Sequence, residues 1–178
     1  MGQNISLIFI DYLIGINIID LLNLKEIRNE KIEYRRAKTG RLYDIRVQPE
    51  ALEIINKYKG RNYLLDILDV YTNYKDFTHR FNMNLKRIGP VELGKKGKKE
   101  IAPLFPNLTS YYARHTWATI AASLDIPKET IAAALGHGGN TVTDIYINFD
   151  QKKIDEANRQ VIDYVLNKKQ EPKKNNSK

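Results

Sequence analysis

The sequence predicts an α+β domain that is mostly helical and contains one small antiparallel sheet. Two hydrophobic periods indicate this class. Most segments have apolar residues at helical spacing, as at Phe77, Phe81 and Leu85. Residues 31–36 and 42–47 instead alternate, and the turn AKTG joins them, with Gly40 in a conformation that favours glycine. This is a predicted β-hairpin, and residues 27–29 are a candidate third strand.

The predicted helices follow one another along the chain. An apolar helix covers 5–13 and is broken at Gly15, and a short helix follows to about residue 24. Segment 62–70 is apolar, and both a loop packed on the core and a short strand are compatible with it. Residues 89–100 contain three glycines and four lysines and are predicted as a flexible basic loop. The other predicted helices cover 49–59, 74–88, 110–124, 127–135, a short one from 140 or 141, and 151–166.

The chain of 178 residues suits one domain, predicted over 1–167, followed by a disordered basic tail at 168–178. The tail has five lysines and one glutamate, so it supplies half of the net charge of +8. The first residues look like a helix entered near its start, and the chain is therefore expected to be a fragment that lacks a preceding domain. No apolar stretch has the length of a membrane span or the layout of a signal peptide, so a cytoplasmic protein is expected.

Composition limits the chemistry. The absence of cysteine excludes disulfides, a thiol nucleophile and cysteine-bound zinc. The three histidines have no metal-ligand spacing, so neither a metal nor another cofactor is expected. A pI near 9.5 favours a polyanionic partner such as nucleic acid, and a solvated basic surface is the alternative.

The segment 110–149 holds three residues that suit phosphate chemistry. A guanidinium such as that of Arg114 binds two phosphate oxygens at once, although an isolated arginine more often forms a surface ion pair. His137 lies between glycines, where it either contacts a phosphate or moves a proton, or simply ends a helix. Tyr146 is a nucleophile only if cations surround it, and it is one of eleven tyrosines.

The order and spacing of these residues resemble a known family. The box RHTWAT contains Arg114, LGH begins 21 residues after that arginine, and Tyr146 follows His137 by nine residues. This pattern resembles the tyrosine recombinases, and in particular the integrases of bacterial mobile elements. The hairpin and the stretch LIGINIIDLLNL also fit that family's catalytic domain, so the resemblance covers about residues 5–166.

The resemblance implies a role for each matching residue. Tyr146 matches the nucleophile that attacks DNA, leaving a 3′-phosphotyrosine and a free 5′-hydroxyl. Arg114 matches the family's second arginine, which binds the scissile phosphate, and His137 matches a histidine that contacts the same phosphate. Lys38, at the hairpin turn, matches the lysine that protonates the leaving oxygen. Residues expected to contact DNA beyond the reacting phosphate are Arg35, Arg36, Arg41, Lys95 and Lys96.

Two positions depart from the family pattern. The family's first arginine is expected just before the glycine of LIGI, where this chain has Ile14. The usual histidine three residues before Arg114 is Tyr111, whose hydroxyl can still bond a phosphate. Loss of one transition-state donor typically costs about 2.7–4 kcal/mol. Either another cation replaces it, with Arg28, Arg35, Arg36 and Arg41 as candidates, or an arginine upstream of this chain does so, or the protein is slow.

The expected function is site-specific DNA recombination, that is, integration or excision by strand cleavage and religation. By resemblance, the enzyme would act on double-stranded DNA as a homotetramer without metal or ATP, and the isolated domain would be monomeric and bind DNA weakly. The alternatives are a DNA-binding relic that does not cut, a type IB topoisomerase, and a basic helical RNA-binding protein. Whether the last helix packs in its own subunit or in a neighbour is left open by the sequence.

Overall fold

The computed structural model describes residues 7–93, 98–136 and 151–170, with side chains as far as residue 167. Within these ranges it has eight helices and two antiparallel sheets of two strands each, which confirms the predicted α+β class. The helices are α1 (Leu7–Tyr12), α2 (Ile18–Leu22), α3 (Pro49–Lys57), α4 (Ile67–Val70), α5 (Tyr74–Leu85), α6 (Tyr112–Ser123), α7 (Lys128–Leu135) and α8 (Gln151–Gln170). The strands are β1 (Lys31–Arg35), β2 (Leu42–Arg46), β3 (Val91–Leu93) and β4 (Lys99–Ile101).

The core is centred on α6, whose Trp117 is fully buried. The Trp117 indole Nε1 donates to Oδ1 of Asn158 on α8 at 2.9 Å, and Nδ2 of Asn158 donates to the Tyr12 carbonyl at 3.0 Å. One buried amide therefore ties α1, α6 and α8 together, with its donor and acceptor both satisfied. Helix α8 packs against α1, α6 and α7.

Several predicted elements end earlier than the helical spacing suggested. Helix α5 ends at Leu85, and the chain then turns toward Gly89 and Pro90, so Ile88 is 47% exposed instead of buried. The predicted third strand at 27–29 is wrong. Asn29 and Glu30 have positive φ, so the chain turns there, and only an isolated bridge joins Arg28 to Lys31.

The first hairpin, β1–β2, is built as predicted. Its register pairs Ile32 with Ile45 and Tyr34 with Tyr43, and the two tyrosine rings stack with centroids 5.1 Å apart. Ile32, Tyr43 and Ile45 are buried, which holds one face of the hairpin on the helical core. Gly40 has φ of +68°, the left-handed conformation predicted for it.

The prediction of a flexible loop at 89–100 is wrong for the residues on either side of 94–97, which lie outside the described ranges. Strands β3 and β4 form a second hairpin there, and the pairing continues through bonds from Ala102 N to the Pro90 carbonyl and from Leu104 N to the Ile88 carbonyl, both 2.9 Å. In segment 62–70, neither expectation describes the whole: buried Leu64 and Leu65 precede the short helix α4.

No helix within the described ranges combines the length and the apolar character that crossing a bilayer requires.

Candidate active site

Four of the residues selected from the sequence line one pocket of about 390 Å³. Arg36 and Lys38 come from the hairpin turn, and Tyr111 and Arg114 come from the start of α6. The floor is the turn between α1 and α2 together with the first residues of α2, and Ser110 completes the wall. Segments that lie more than 70 residues apart in the sequence therefore meet at one place.

The pocket carries an excess of unpaired positive charge. Its lining includes three cations, Arg36, Lys38 and Arg114, against one carboxylate, that of Asp20. In the described part of the chain, no carboxylate lies within 4.0 Å of any of these three cationic groups. A pocket with this balance favours an anionic ligand.

In the neighbouring pockets, several cations are instead paired with carboxylates. Lys31 Nζ lies 2.6 Å from Asp44, and Arg46 pairs with Glu30 at 3.0 Å. Two other pairs are Arg28 with Glu26 and Arg159 with Glu50. These four cations line the pockets on the outer side of β1 and beside α8. Lys25 and Arg35, which also line the pocket beside β1, have no ionic partner among the described residues, but that pocket contains three carboxylates, those of Asp20, Glu26 and Glu33.

Arg114 is held from behind by main-chain carbonyls. Its side chain is 5% exposed; Nη1 donates to the Gly15 carbonyl at 3.4 Å, and Nη2 donates to the Leu135 carbonyl. The Nε donor is buried and has no partner. A buried guanidinium with an unused donor at the edge of a cationic pocket is suited to binding an oxyanion.

Gly15 allows this arrangement. It has φ of +61°, and a Cβ there would overlap the Arg114 main chain. The α1–α2 turn therefore lies directly against the helix that presents Arg114, and its carbonyl can orient the guanidinium. Glycine is required at this position for both its φ and its lack of a side chain.

The position assigned to the family's first arginine does not line the pocket. Ile14 is 3% exposed and points into the core, with φ of +57°. Asn17, three residues later, does line the pocket. With its amide oriented to satisfy its neighbours, the Asn17 oxygen accepts from Nε and Nη2 of Arg36 at 3.1 and 3.2 Å. The α1–α2 turn thus offers the pocket an amide that holds a guanidinium from the hairpin.

The structure separates the four arginines that were candidates for replacing the missing one. Arg36 alone among them lines the pocket. Arg28 and Arg35 line the pocket on the outer side of β1, and Arg35 Nη1 donates to the Gly40 carbonyl at 3.2 Å. Arg41 is exposed on the turn. By position, Arg36 is the second guanidinium of the site.

Tyr111 precedes the first turn of α6 and is 49% exposed at the rim of the pocket. Its ring meets that of His115 edge to face, with centroids 4.7 Å apart. This contact orients the phenol and leaves its hydroxyl available for a ligand at the rim. The hydroxyl can donate to a phosphate oxygen.

The end of α7 is fixed against the pocket. Leu135 accepts a bond from the Tyr43 hydroxyl at 2.9 Å as well as the one from Arg114. Gly136 ends the helix with φ of +64°, and a Cβ at this glycine would overlap the Tyr43 hydroxyl. The chain therefore leaves the described region beside Arg114, immediately before His137. His137, Tyr146, Lys95 and Lys96 lie outside the described residues, and so does the short helix predicted from residue 140 or 141.

A second buried acid lies away from the pocket and has a different environment. Asp11 on α1 is 4% exposed, and neither carboxylate oxygen has a hydrogen-bond partner. Burial raises the pKa of Asp11 to about 7. Asp11 lines an apolar cavity together with Leu104 and Phe105, so nothing there suggests phosphate binding.

Within the described residues, no cluster of three or more histidine, aspartate or glutamate side chains is placed to bind a metal ion. Comparisons with protein-family models, with curated proteins and with solved structures find no match to this chain. The pocket therefore has to be interpreted from its own residues.

Sequence reasoning missed Asn17 and Asp20, whose only signal is a pair of polar side chains three residues apart in an otherwise apolar stretch.

Proposed function

We propose that this domain cleaves and rejoins DNA strands through a covalent link to Tyr146, as a site-specific recombinase does. The observation that carries the proposal is the pocket in which Lys38, chosen from the hairpin, lies together with Tyr111 and Arg114, chosen from the RHTWAT box and the position three residues before its arginine. Double-stranded DNA is the proposed substrate, and a homotetramer on two duplexes is the proposed active assembly.

In the proposed reaction, Tyr146 attacks the scissile phosphorus and the bond to the 5′ oxygen breaks. Negative charge grows on the non-bridging oxygens of the pentacoordinate phosphorus, and fixed donors stabilise it. Arg114 supplies such donors from a position fixed by two carbonyls, since its guanidinium carries five N–H groups and these bonds use two of them. Because these groups are already oriented, little reorganisation is needed when the charge develops.

Lys38 is the proposed general acid for the leaving 5′ oxygen. It is an exposed residue at a hairpin turn, on the rim of the pocket, and its stem is long enough to extend toward a bound strand. The phenolic proton of Tyr146 passes to solvent, and the lysine regains its proton in the reverse step. The phosphotyrosine keeps the energy of the broken bond, so religation needs neither metal nor ATP.

Arg36 is the proposed replacement for the family's first arginine. Its guanidinium reaches the pocket from the hairpin, and Asn17 fixes it from the α1–α2 turn. The site would then have two guanidiniums, as the family pattern requires, although one comes from a different element. This arrangement supports a domain that retains chemistry despite the apolar Ile14.

The test uses a nicked duplex in which the fragment beyond the cleavage point is too short to remain bound. Cleavage then traps the protein on the DNA, and the adduct appears as a slower band in a denaturing gel. The expected result is an adduct with the unaltered protein and none with Tyr146→Phe. An adduct formed equally well by Tyr146→Phe would contradict the assignment of the nucleophile.

The same assay separates the alternatives. Sequence-specific binding without an adduct on any DNA would favour a relic that occupies sites without cutting them. Adducts together with relaxation of supercoiled plasmid at many sites would favour a topoisomerase. Binding confined to RNA would contradict both the recombinase and the topoisomerase proposals.

A further inference from the structure

The last carbonyl of α7, that of Leu135, accepts two hydrogen bonds from outside its own helix. The Tyr43 hydroxyl on β2 donates to it at 2.9 Å, and Nη2 of Arg114 on α6 donates to it as well. Carbonyls of a last helical turn have no partner within the helix, and a carbonyl oxygen has two lone pairs, so both donors can be accommodated. One oxygen therefore joins the first hairpin to the guanidinium of the proposed site.

The Leu135 carbonyl is the stronger of the two acceptors that hold Arg114. The other acceptor, the Gly15 carbonyl, lies 3.4 Å from Nη1. This distance is above the usual limit of about 3.2 Å for an N–H···O hydrogen bond. The carboxyl end of a helix also carries partial negative charge, which attracts a cation. The orientation of the Arg114 guanidinium therefore depends mainly on where the Leu135 carbonyl lies.

Tyr43 fixes that carbonyl from the hairpin side. The Tyr43 side chain is buried, and its ring stacks on that of Tyr34 across the hairpin. Gly136 has no side chain, and a Cβ there would lie 1.8 Å from the Tyr43 hydroxyl oxygen, so the end of α7 lies directly against the phenol. Because the hydrogen bond to Leu135 is buried, water does not compete for it. Tyr43 thus determines the position of the α7 end.

We infer that Tyr43 is a positioning residue that orients Arg114 through their shared acceptor, the carbonyl of Leu135. The inference rests on the proposed function for its chemical consequence, because Arg114 stabilises developing charge only in that reaction. Tyr43 lines none of the pockets described above, so it touches neither the substrate nor the reacting atoms. Loss of its hydroxyl should therefore weaken the stabilisation of charge by Arg114 and leave proton donation by Lys38 intact.

A DNA substrate in which a methyl group replaces one non-bridging oxygen of the scissile phosphate measures this distinction. On both substrates a bond forms between the Tyr146 oxygen and phosphorus, the bond to the 5′ oxygen breaks, and that oxygen takes a proton. The methylphosphonate is uncharged, so less negative charge develops and the need for a guanidinium falls, while the need for a proton donor remains. Single-turnover formation of the covalent adduct is followed on both substrates, with the methylphosphonate diastereomer that Arg114→Ala cleaves faster.

Tyr43→Phe removes only the hydroxyl and keeps the stacked ring. On the phosphate substrate it should slow adduct formation by about 10-fold, the upper end of what one hydrogen bond contributes. On the methylphosphonate it should come within about 2-fold of the unaltered protein, because that substrate requires little stabilisation of charge by Arg114. Arg114→Ala is the positive control for rescue by the methylphosphonate, and Lys38→Ala should stay slow on both substrates. Tyr71→Phe, at a ring that packs against Phe77, is the matched loss of a hydroxyl and should equal the unaltered protein on both.

The inference is wrong if Tyr43→Phe is equally slow on both substrates, or if it cleaves the phosphate substrate as fast as the unaltered protein. If the unaltered protein gives no adduct on either substrate, the proposed function fails and the contact is judged by NMR of the Arg114 side chain. A guanidinium held by fixed carbonyls rotates slowly about its Cζ–Nη bonds, so its Nη protons give separate signals. Separate signals that merge in Tyr43→Phe, with the rest of the spectrum unchanged, support the positioning role, and identical Arg114 signals in the two proteins would overturn it.

Discussion

The two hairpins of this domain are similar in topology and opposite in how they are attached. The first, β1–β2, buries Ile32, Tyr43 and Ile45 and is bonded to α2 and to the end of α7. The second, β3–β4, buries none of its six strand residues, and Val91 and Leu93 are 63% and 78% exposed. The segments that connect the strands are basic in sequence in both hairpins, and in the first hairpin Arg36 and Lys38 line the pocket.

The contrast indicates that the two hairpins have different roles. A group that transfers a proton has to lie within hydrogen-bond reach of its target, so it belongs on an element whose position is fixed. Lysines that only neutralise a DNA backbone need no fixed geometry, because their effect is electrostatic. We therefore expect the first hairpin to serve the reaction and the second to serve affinity.

The largest expected difference is between two lysines, one from each hairpin. Lys38→Ala should slow adduct formation by about 10² to 10⁴-fold, the usual contribution of a general acid. Lys99→Ala, on β4, should change the rate at saturating protein by less than about 3-fold, because a phosphate contact affects binding and not the chemical step. The measurement is single-turnover cleavage of the nicked duplex. Equal decreases of the cleavage rate in the two variants would contradict the proposed difference between the hairpins.

A second comparison lies within the first hairpin. Arg36→Ala should slow cleavage by about 10² to 10³-fold, the cost of removing one transition-state donor. Arg35→Ala is the matched control, because its side chain lines the neighbouring pocket and should affect mainly affinity. Asn17→Arg, introduced into the Arg36→Ala protein, supplies a guanidinium from the α1–α2 turn and should recover part of the rate. If Arg36→Ala cleaves as fast as the unaltered protein, Arg36 is not part of the site.

Stability should separate the hairpins as well. Ile45→Ala leaves a cavity under β2 and should lower the free energy of unfolding by at least about 2 kcal/mol. Val91→Ala, at an exposed position, should change it by no more than about 0.5 kcal/mol. Urea unfolding followed by circular dichroism provides both values, and a large loss from Val91→Ala would mean that the second hairpin is packed on something after all.

The smallest expected effect is on the salt dependence of DNA binding. Replacing one of Lys95, Lys96 or Lys99 with alanine should lower the slope of log affinity against log salt by about 1. The cleavage rate of fully bound DNA should not change. Fluorescence anisotropy at several salt concentrations measures the slope, and an unchanged slope in all three variants would show that the second hairpin does not contact the phosphate backbone.

The same contrast explains what the sequence could predict. The first hairpin has one buried face, which produces strict alternation, and its glycine turn is a strong local signal. The second has no buried face and strands of three residues, so its lysines and glycines looked like a loop. The helix that begins at Pro49 was predicted well, because proline marks its first turn. The strand predicted at 27–29 is absent because the positive φ of Asn29 and Glu30 turns the chain there.

The candidate site was predicted in part. Arg114, Tyr111 and Lys38 were selected by motif, and the structure brings them to one pocket. Asp20 and Asn17 were missed because their roles depend on contacts with the hairpin that only the folded chain creates. Ile14, the position assigned to the family's first arginine, does not line the pocket, because the positive φ of Ile14 and Gly15 turns the chain and Asn17 faces the pocket instead.

The central claim is that Tyr146 forms the covalent link while the described pocket holds the phosphate. The most direct measurement is mass spectrometry of the trapped adduct after digestion of the protein with protease and of the DNA with nuclease. The account predicts a nucleotide joined through its 3′ phosphate to the peptide that contains Tyr146. Attachment to Tyr111 or another tyrosine, attachment through a 5′ phosphate, or the absence of any adducted peptide would contradict it.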